Sequence, residues 1–364
     1  MQGFALPLRE RGRVKRRERK LTVARRNKRA TPQAPPPRPT MQPGGLSGQL
    51  LRMAGAVEDM RPDFDALARD IAAGREPGAV PGVTKEDSAL AAQVARARHA
   101  AAAEPMSALR QLELADALRR AGQNDAAIAA AKRCLALDPD AIPAQFLLAS
   151  LTGAQIPETM PPALVATIFD ASAARFDQML VGNLKYQGPE LIAKALAPLL
   201  PKLDRGLDVL DAGCGTGLCA AHLRPIARRL DGVDLSPRMI EAARARNAYD
   251  RLVVGDLVAA LLASPGAYDL IVAADVLVYV GALEKVFAAS HAALRPGGLL
   301  AFSVERGTGG RFSLSPASRY RHDPDYVEAE ASRAGFALRH KQDCVLRFEN
   351  RKPIEAVIYV LLRR

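Results

Sequence analysis

The feature that most constrains this chain is a glycine-rich turn directly after an apolar segment, in LDVLDAGCGTGLCAAHL at residues 207–223. Gly213, Gly215 and Gly217 occupy alternate positions in it. Because glycine has no Cβ atom, such a turn adopts unusual φ angles and lets a ligand approach the backbone closely. A helix that starts at the turn also presents free N–H groups to an anionic group. The segment therefore predicts a strand–turn–helix unit that binds a ligand.

Three acidic residues near strand ends distinguish this turn from a dinucleotide-binding turn, which reads G-x-G-x-x-G and is one residue longer. Asp211 precedes the glycines, where it would repel a pyrophosphate but can bind an ammonium group. Asp234 and Asp256 end the next two predicted strands, where carboxylates can accept hydrogen bonds from ribose hydroxyls and an adenine amino group. A ligand with these groups and no phosphate is S-adenosylmethionine. The alternative for Asp234 and Asp256 is ordinary helix N-capping.

Short apolar runs alternate with helical segments from residue 207 onward, which is typical of a parallel sheet covered by helices on both faces. The last stretch, residues 336–364, has no helix between its two apolar runs and predicts an antiparallel hairpin at the sheet edge. The expected fold is therefore α/β. It is a Rossmann-like, doubly wound, mostly parallel seven-stranded sheet with a C-terminal antiparallel hairpin, preceded by an α-helical domain.

Residues 204–364 resemble a class I S-adenosylmethionine-dependent methyltransferase. The segments VLDAGCGTG, GVDLSPRMIEAARAR, VVGDL, YDLIVAADVLVYV and LRPGGLLAFSVE stand in that family's order and spacing. The longer stretch from FDASAARFDQMLVGNLKYQGPELI to the hairpin resembles a bacterial subgroup that joins a tetratricopeptide repeat to the methyltransferase domain. The resemblance implies methyltransferase activity with S-adenosylmethionine as the cofactor.

The resemblance also implies roles for the matched positions. Asp211 and the glycine turn would hold the methionine moiety, Asp234 the ribose hydroxyls, and Asp256 the adenine. Tyr186, in the helices that precede the first strand, would cover the cofactor. The implied cofactor-binding residues are Asp211, Gly213, Gly215, Gly217, Asp234, Leu235, Met239, Asp256, Leu257, Ala274 and Tyr186.

The catalytic candidates follow the fourth and fifth predicted strands. Methyl transfer is an in-line displacement at carbon, so the protein mainly has to align donor and acceptor. A general base is needed only where the nucleophile arrives protonated. Asp275 and His322 are the preferred base candidates, and Tyr279 is a third catalytic candidate. The alternatives are that Tyr279 simply packs and that His322 is a surface or loop-packing histidine.

The charge distribution argues against nucleic acid as the substrate of the folded body. Residues 1–40 hold thirteen Lys or Arg and two Glu, whereas the rest of the chain holds 38 basic and 37 acidic side chains. A nearly neutral body offers no broad phosphate-binding face. A small-molecule acceptor, such as a carboxylate or a phenol, is the first expectation. The alternatives are a protein methyltransferase that grips its target with the helical repeat, and a non-catalytic scaffold or cofactor-sensing protein.

The N-terminal part divides into three predicted regions. Residues 1–45 are rich in arginine and proline and predict a disordered tail, which either anchors the protein to nucleic acid or anionic lipid or is simply solvated. Met41 is an alternative first residue. Residues 46–156 predict an α-helical domain, and residues 157–203 predict a helical lead-in to the methyltransferase domain at 204–364.

The helical domain resembles a tetratricopeptide repeat. Leu114-Ala115 recurs as Leu148-Ala149 thirty-four residues later, with small residues on the helix between them. Such small residues let two antiparallel helices approach closely. Two readings are open: a groove that binds a protein partner, and a stabilising or oligomerising appendage.

Four scattered cysteines, Cys134, Cys214, Cys219 and Cys344, show no paired spacing. They predict neither a disulfide framework nor a metal site, and they are typical of a protein of the reducing cytoplasm. No apolar run approaches the ~18 residues that a membrane span needs.

Overall fold

The residues described by a computed structural model are 85–200, 206–349 and 351–364. The predicted tail at 1–45 and the first part of the predicted helical domain lie outside these residues. So does the predicted boundary between residues 203 and 204.

Four helices come first in the described chain. They are α1 (Lys85–Ala103), α2 (Ala108–Arg120), α3 (Asn124–Leu137) and α4 (Ile142–Thr152). Ser107 caps α2 by accepting a hydrogen bond from the N–H of Arg110. Ala115, Ala127 and Ala131 are fully buried in one apolar cluster. Their small side chains let the helices of the repeat approach closely.

The lead-in continues the chain to the sheet. It contains α5 (Pro162–Ser172), a 3₁₀ turn (Ala173–Arg175), a π-helix (Gln178–Asn183) and α6 (Gly188–Leu196). Proline stands in the first turn of α5 and of α6, where its missing N–H has no partner to lose. Short π-helical turns are frequent at functional sites.

Five parallel strands form the centre of the sheet in the order β3-β2-β1-β4-β5. They are β1 (Leu207–Ala212), β2 (Ala227–Asp234), β3 (Arg251–Val254), β4 (Tyr268–Ala273) and β5 (Leu294–Arg306). The intervening helices are α7 (Ala220–Leu223), α8 (Pro237–Ala245), α9 (Leu257–Leu262) and α10 (Glu284–Ala293). Because the strands are parallel, their carboxyl ends lie at one edge of the sheet, where the predicted acids stand.

The predicted C-terminal hairpin is confirmed. It consists of β8 (Phe336–Glu349) and β9 (Lys352–Arg363), and β9 pairs antiparallel with β5. Two short strands that the sequence did not predict, β6 (Phe312–Leu314) and β7 (Tyr320–His322), also join the sheet, ahead of α11 (Pro324–Arg333). Within the described residues the sheet therefore has nine strands and not the predicted seven. The turn between β6 and β7, residues 315–319, is called the β6–β7 turn below.

The sheet is covered by apolar clusters on both faces. Leu270 and Val272 of β4 contribute to one cluster, and Ile271 and Ala273 to the other, as the alternation of side chains along a strand requires. This double burial explains why the strands read as continuous apolar runs. Among the described residues, no helix combines the length and the apolar character needed to cross a membrane.

Candidate active site

The glycine turn has the backbone conformation that the sequence predicts. Gly213, Gly215 and Gly217 have φ angles of 71°, 53° and 88°, which side-chain-bearing residues rarely adopt. The N–H groups of Gly213 and Cys214 donate to the carbonyl of Val233 at 2.8 and 2.9 Å. These bonds tie the turn to the end of β2.

The three glycines differ in what surrounds them. A Cβ atom on Gly213 would lie 2.5 Å from a methyl group of Val276, and one on Gly217 would lie 3.0 Å from Arg246 Cδ. A Cβ atom on Gly215 would meet no heavy atom within 4 Å. Gly213 and Gly217 are therefore needed for packing, whereas Gly215 presents bare backbone to open space that a ligand can fill.

Asp234 joins the end of β2 to the glycine turn. Its Oδ2 accepts a hydrogen bond from the N–H of Gly215, and its Oδ1 accepts one from the N–H of Ser236, both at 2.9 Å. Burial raises the pKa of its carboxyl group. Each carboxylate oxygen has two lone pairs, so both oxygens can still accept hydrogen bonds from ribose hydroxyls.

Asp211 and Asp256 lie in contrasting environments. Asp211 is only 1% exposed and accepts a hydrogen bond from the hydroxyl of Tyr249 at 2.6 Å. Burial raises the pKa of Asp211 to about 7. Asp256 is exposed and caps α9, because its Oδ1 accepts from the N–H of Ala259 at 2.9 Å. The capping alternative is therefore observed, and the same side chain also borders the cavity described next.

A cavity of about 180 Å³ brings most of the predicted site residues together. Those on its wall are Tyr186, Gly213, Gly215, Asp234, Leu235, Asp256, Leu257, Ala274, Asp275 and Tyr279. Asp211, Gly217, Met239 and His322 do not line it. Met239 is fully buried, and its N–H donates to Ser236 Oγ at 3.0 Å. In the part of the chain that the structure describes, no group of three His, Cys, Asp or Glu side chains could hold a metal ion.

The lead-in supplies much of the cavity wall, which the sequence did not predict beyond Tyr186. Its contribution is apolar and aromatic, from Met160, Val165, Ile168, Phe169, Phe176, Met179, Leu180 and Leu184. Phe169 packs edge-on against Tyr279 with ring centroids 5.4 Å apart, and against Phe176 at 5.8 Å. Burial raises the phenol pKa of Tyr186 and of Tyr279, so both stay neutral at physiological pH.

His322 lies away from the cavity, in contrast to its expected role as a base. It is fully buried, with Nε2 2.9 Å from the carbonyl of Val280 and 3.1 Å from that of Gly281. Since carbonyls only accept hydrogen bonds, Nε2 carries the proton. Burial lowers the pKa of His322 to about 4. The neutral ring therefore holds the backbone next to Tyr279 in place.

Asp275 reaches the cavity as one partner of a buried ion pair. Its φ angle is 60°, and its N–H donates to Ser303 Oγ at 2.8 Å. Both of its carboxylate oxygens accept from Nη1 of Arg347, at 2.8 and 2.7 Å. Arg347 is 1% exposed and also donates to Glu305 and Glu349.

Arg319 and Arg347 are cavity residues that sequence reasoning missed. Arg319 lies in the β6–β7 turn, is 5% exposed and pairs with Glu349. Arg347 lies on β8, in the stretch CVLRFEN. An arginine between apolar residues of a strand was the available signal, because it suggests a buried and paired cation.

Comparison with known proteins identifies both parts of the chain. Residues 184–338 match the family model described as a methyltransferase domain, and residues 108–151 match the one described as a tetratricopeptide repeat. The chain therefore joins a tetratricopeptide repeat to a methyltransferase domain. This confirms the family and the fold class predicted from the sequence.

Similar curated proteins cover the methyltransferase part only in stretches. Human methyltransferase-like protein 27 is 37% identical over 143 residues, which are 37% of this chain and 56% of that protein. Malonyl-[acyl-carrier protein] O-methyltransferase of Pectobacterium atrosepticum is 35% identical over 99 residues, 27% of this chain and 39% of that protein. Ubiquinone biosynthesis O-methyltransferase of Methylocella silvestris is 31% identical over 138 residues, 34% of this chain and 53% of that protein. The chain thus spans between 39% and 56% of the length of these relatives.

Proposed function

We propose that the protein transfers the methyl group of S-adenosylmethionine, by in-line displacement, to an oxygen of a small molecule that is already ionised at neutral pH. The observation that carries this proposal is that one cavity joins the two halves of the reaction. Gly215, Asp234 and Asp256, which suit the cofactor, line the same cavity as Phe169 and Phe176 of the lead-in, whose aromatic side chains suit an acceptor.

The residues present fit the cofactor. The open space in front of Gly215 admits a ligand to the bare backbone, and Asp234 and Asp256 have lone pairs for ribose and adenine donors. When bound, S-adenosylmethionine supplies an activated methyl group on a sulfonium. The chain's task is then to orient the acceptor and exclude water, for which an apolar cavity partly covered by Phe169 and Tyr186 is well suited.

The states of the candidate bases favour an acceptor that needs no deprotonation. Asp275 is paired with Arg347 through both oxygens, the phenol of Tyr279 is neutral, and His322 is outside the cavity. Arg319 and Arg347 also line the wall, and both are paired with carboxylates of Asp275, Glu305 or Glu349. A guanidinium N–H of theirs that faces the cavity would stabilise an acceptor oxyanion. Carboxylates and acidic phenols have this chemistry. Two of the relatives carry names that specify O-methylation.

The test measures the release of S-adenosylhomocysteine by the purified full-length chain. The methyl acceptors offered are panels of carboxylic acids, phenols, amines and thiols, and a protein extract. We expect turnover on the carboxylic acids or phenols and its loss in Asp234→Ala. The control is Asp343→Asn, which removes an exposed partner of Arg306 on the hairpin. Turnover only on protein extract would replace this proposal with the protein-substrate alternative. Binding of S-adenosylmethionine without any turnover would favour the cofactor-sensing alternative.

A further inference from the structure

The lead-in contains two Phe-Asp pairs seven residues apart, Phe169-Asp170 and Phe176-Asp177, in FDASAARFD. Each phenylalanine lines the cavity, and each aspartate bonds to an element at the cavity rim. We propose that Asp170 and Asp177 are positioning residues for the cofactor, fastening the lead-in to the loop after β2 and to the glycine turn. This inference rests on the proposed function.

Asp177 holds the glycine turn through hydrogen bonds to Thr216 and Arg246. Its two oxygens accept hydrogen bonds from the hydroxyl of Thr216 and from Nη2 of Arg246. Nε of Arg246 in turn donates to the carbonyl of Thr216 at 2.5 Å. Thr216 lies between Gly215 and Gly217 and is 3% exposed. Thr216 is therefore held through both its side-chain hydroxyl and its backbone carbonyl.

Asp170 holds the loop that orients Asp234. Its Oδ1 accepts from the hydroxyl of Ser236 at 2.5 Å and from the N–H of Arg238 at 3.2 Å. Ser236 is fully buried, and its own N–H donates to Asp234 at 2.9 Å. The lead-in thus contacts both segments proposed to bind the cofactor. It reaches the glycine turn through Thr216 and the loop next to Asp234 through Ser236.

The contacts of Asp170 and Asp177 reduce the conformational entropy that is lost when the cofactor binds. A turn with three glycines has large conformational freedom, and a ligand that orders it loses part of its binding free energy. A clamp that orders the turn beforehand reduces that loss. Because coupling between two binding events is reciprocal, the cofactor must in turn favour the docked lead-in. An unrelated ion pair of similar exposure would show no such coupling.

The test is the dissociation constant of S-adenosylhomocysteine, measured by isothermal titration calorimetry on the full-length chain. Asp177→Ala and Asp170→Ala should each weaken binding about tenfold, within the usual range of such couplings. Thr216→Val, which is isosteric but lacks the hydroxyl, should do the same, whereas Thr216→Ser should restore most of the affinity. Asp343→Asn, which removes an exposed ion pair between β5 and β8, is the matched control.

Hydrogen exchange provides a second measurement that a purely structural role would not change. In the wild type, S-adenosylhomocysteine should protect the backbone amides of residues 173–187, and Asp177→Ala should remove that protection. Affinities of the Asp170, Asp177 and Thr216→Val variants within twofold of the wild type would overturn the inference while leaving the proposed function intact. A wild-type chain that does not bind S-adenosylhomocysteine would instead overturn the proposed function.

Discussion

Phe146 of the repeat packs edge-on against Tyr320 of the methyltransferase domain, with ring centroids 6.3 Å apart and planes at 85°. The same region has two polar contacts: the hydroxyl of Tyr320 donates to the carbonyl of Pro157 at 2.8 Å, and Arg119 of α2 donates to the carbonyl of Pro316 at 2.7 Å. Since Pro316 lies in the turn that carries Arg319 to the cavity, the repeat braces this turn.

The first prediction concerns the contact between Phe146 and Tyr320. Phe146 is 3% exposed and shares an apolar cluster with Ile168 and Leu314. Phe146→Ala should lower the free energy of unfolding by about 3–5 kcal/mol, because it leaves a cavity between repeat and sheet. Urea denaturation followed by circular dichroism measures this. The control is Met106→Ala, at a residue that is 78% exposed, which should change the free energy of unfolding little. Equal effects of the two substitutions would show that Phe146 does not stabilise the contact between the repeat and the methyltransferase domain.

The second prediction separates backbone strain from ligand contact. Gly215→Ala should cost about 1 kcal/mol of stability, because alanine is strained at a positive φ angle. It should also weaken S-adenosylhomocysteine binding by more than about tenfold, because the methyl group fills the space that the ligand needs. Gly297→Ala is a matched control, with a φ angle of 78° and equally open surroundings at the start of β5. It should cost similar stability and leave the affinity unchanged in calorimetry.

Local signals predict the residues that we propose to bind the cofactor. Gly213, Gly215 and Asp234 are recognisable because residue type and spacing alone encode the strand–turn–helix geometry. The part of the cavity that we propose to hold the acceptor depends on contacts between distant segments, such as Arg347 with Asp275 across 72 positions, which no local pattern encodes.

The fold shows the same division between local and distant information. The alternation of strands and helices predicted the parallel sheet and its hairpin, whereas β6 and β7 are three residues each and too short for a periodic signal. For His322, residue type suggested catalysis, and only its burial against the carbonyls of Val280 and Gly281 indicates a structural role.

The third prediction addresses the buried ion cluster. Arg347→Met would leave Asp275, Glu305 and Glu349 without the guanidinium that contacts all three. We expect a loss of about 3–5 kcal/mol of stability at neutral pH. In the wild type, Arg319 and Arg347 hold the pKa of Glu349 below its usual value in spite of its burial. Removing Arg347 should let Glu349 gain a proton more easily, so the loss should be smaller at pH 5 than at pH 8. Arg306→Met, at the exposed pair with Asp343, should have no comparable effect in the same denaturation series.

The fourth prediction follows from the burial of His322. Its folded-state pKa of about 4 lies below the value of 6.5 for an unperturbed histidine. Between these values the unfolded chain binds a proton that the folded chain does not, so this residue's contribution is complete above pH 6.5 and is lost as the pH falls towards 4. The loss should amount to about 3 kcal/mol.

His322→Gln removes the titration while its amide can still donate to the carbonyl of Val280. The stability difference between wild type and His322→Gln should therefore shrink from pH 7 to pH 4. Parallel pH profiles for wild type and His322→Gln would show that the histidine is not held neutral in the folded chain.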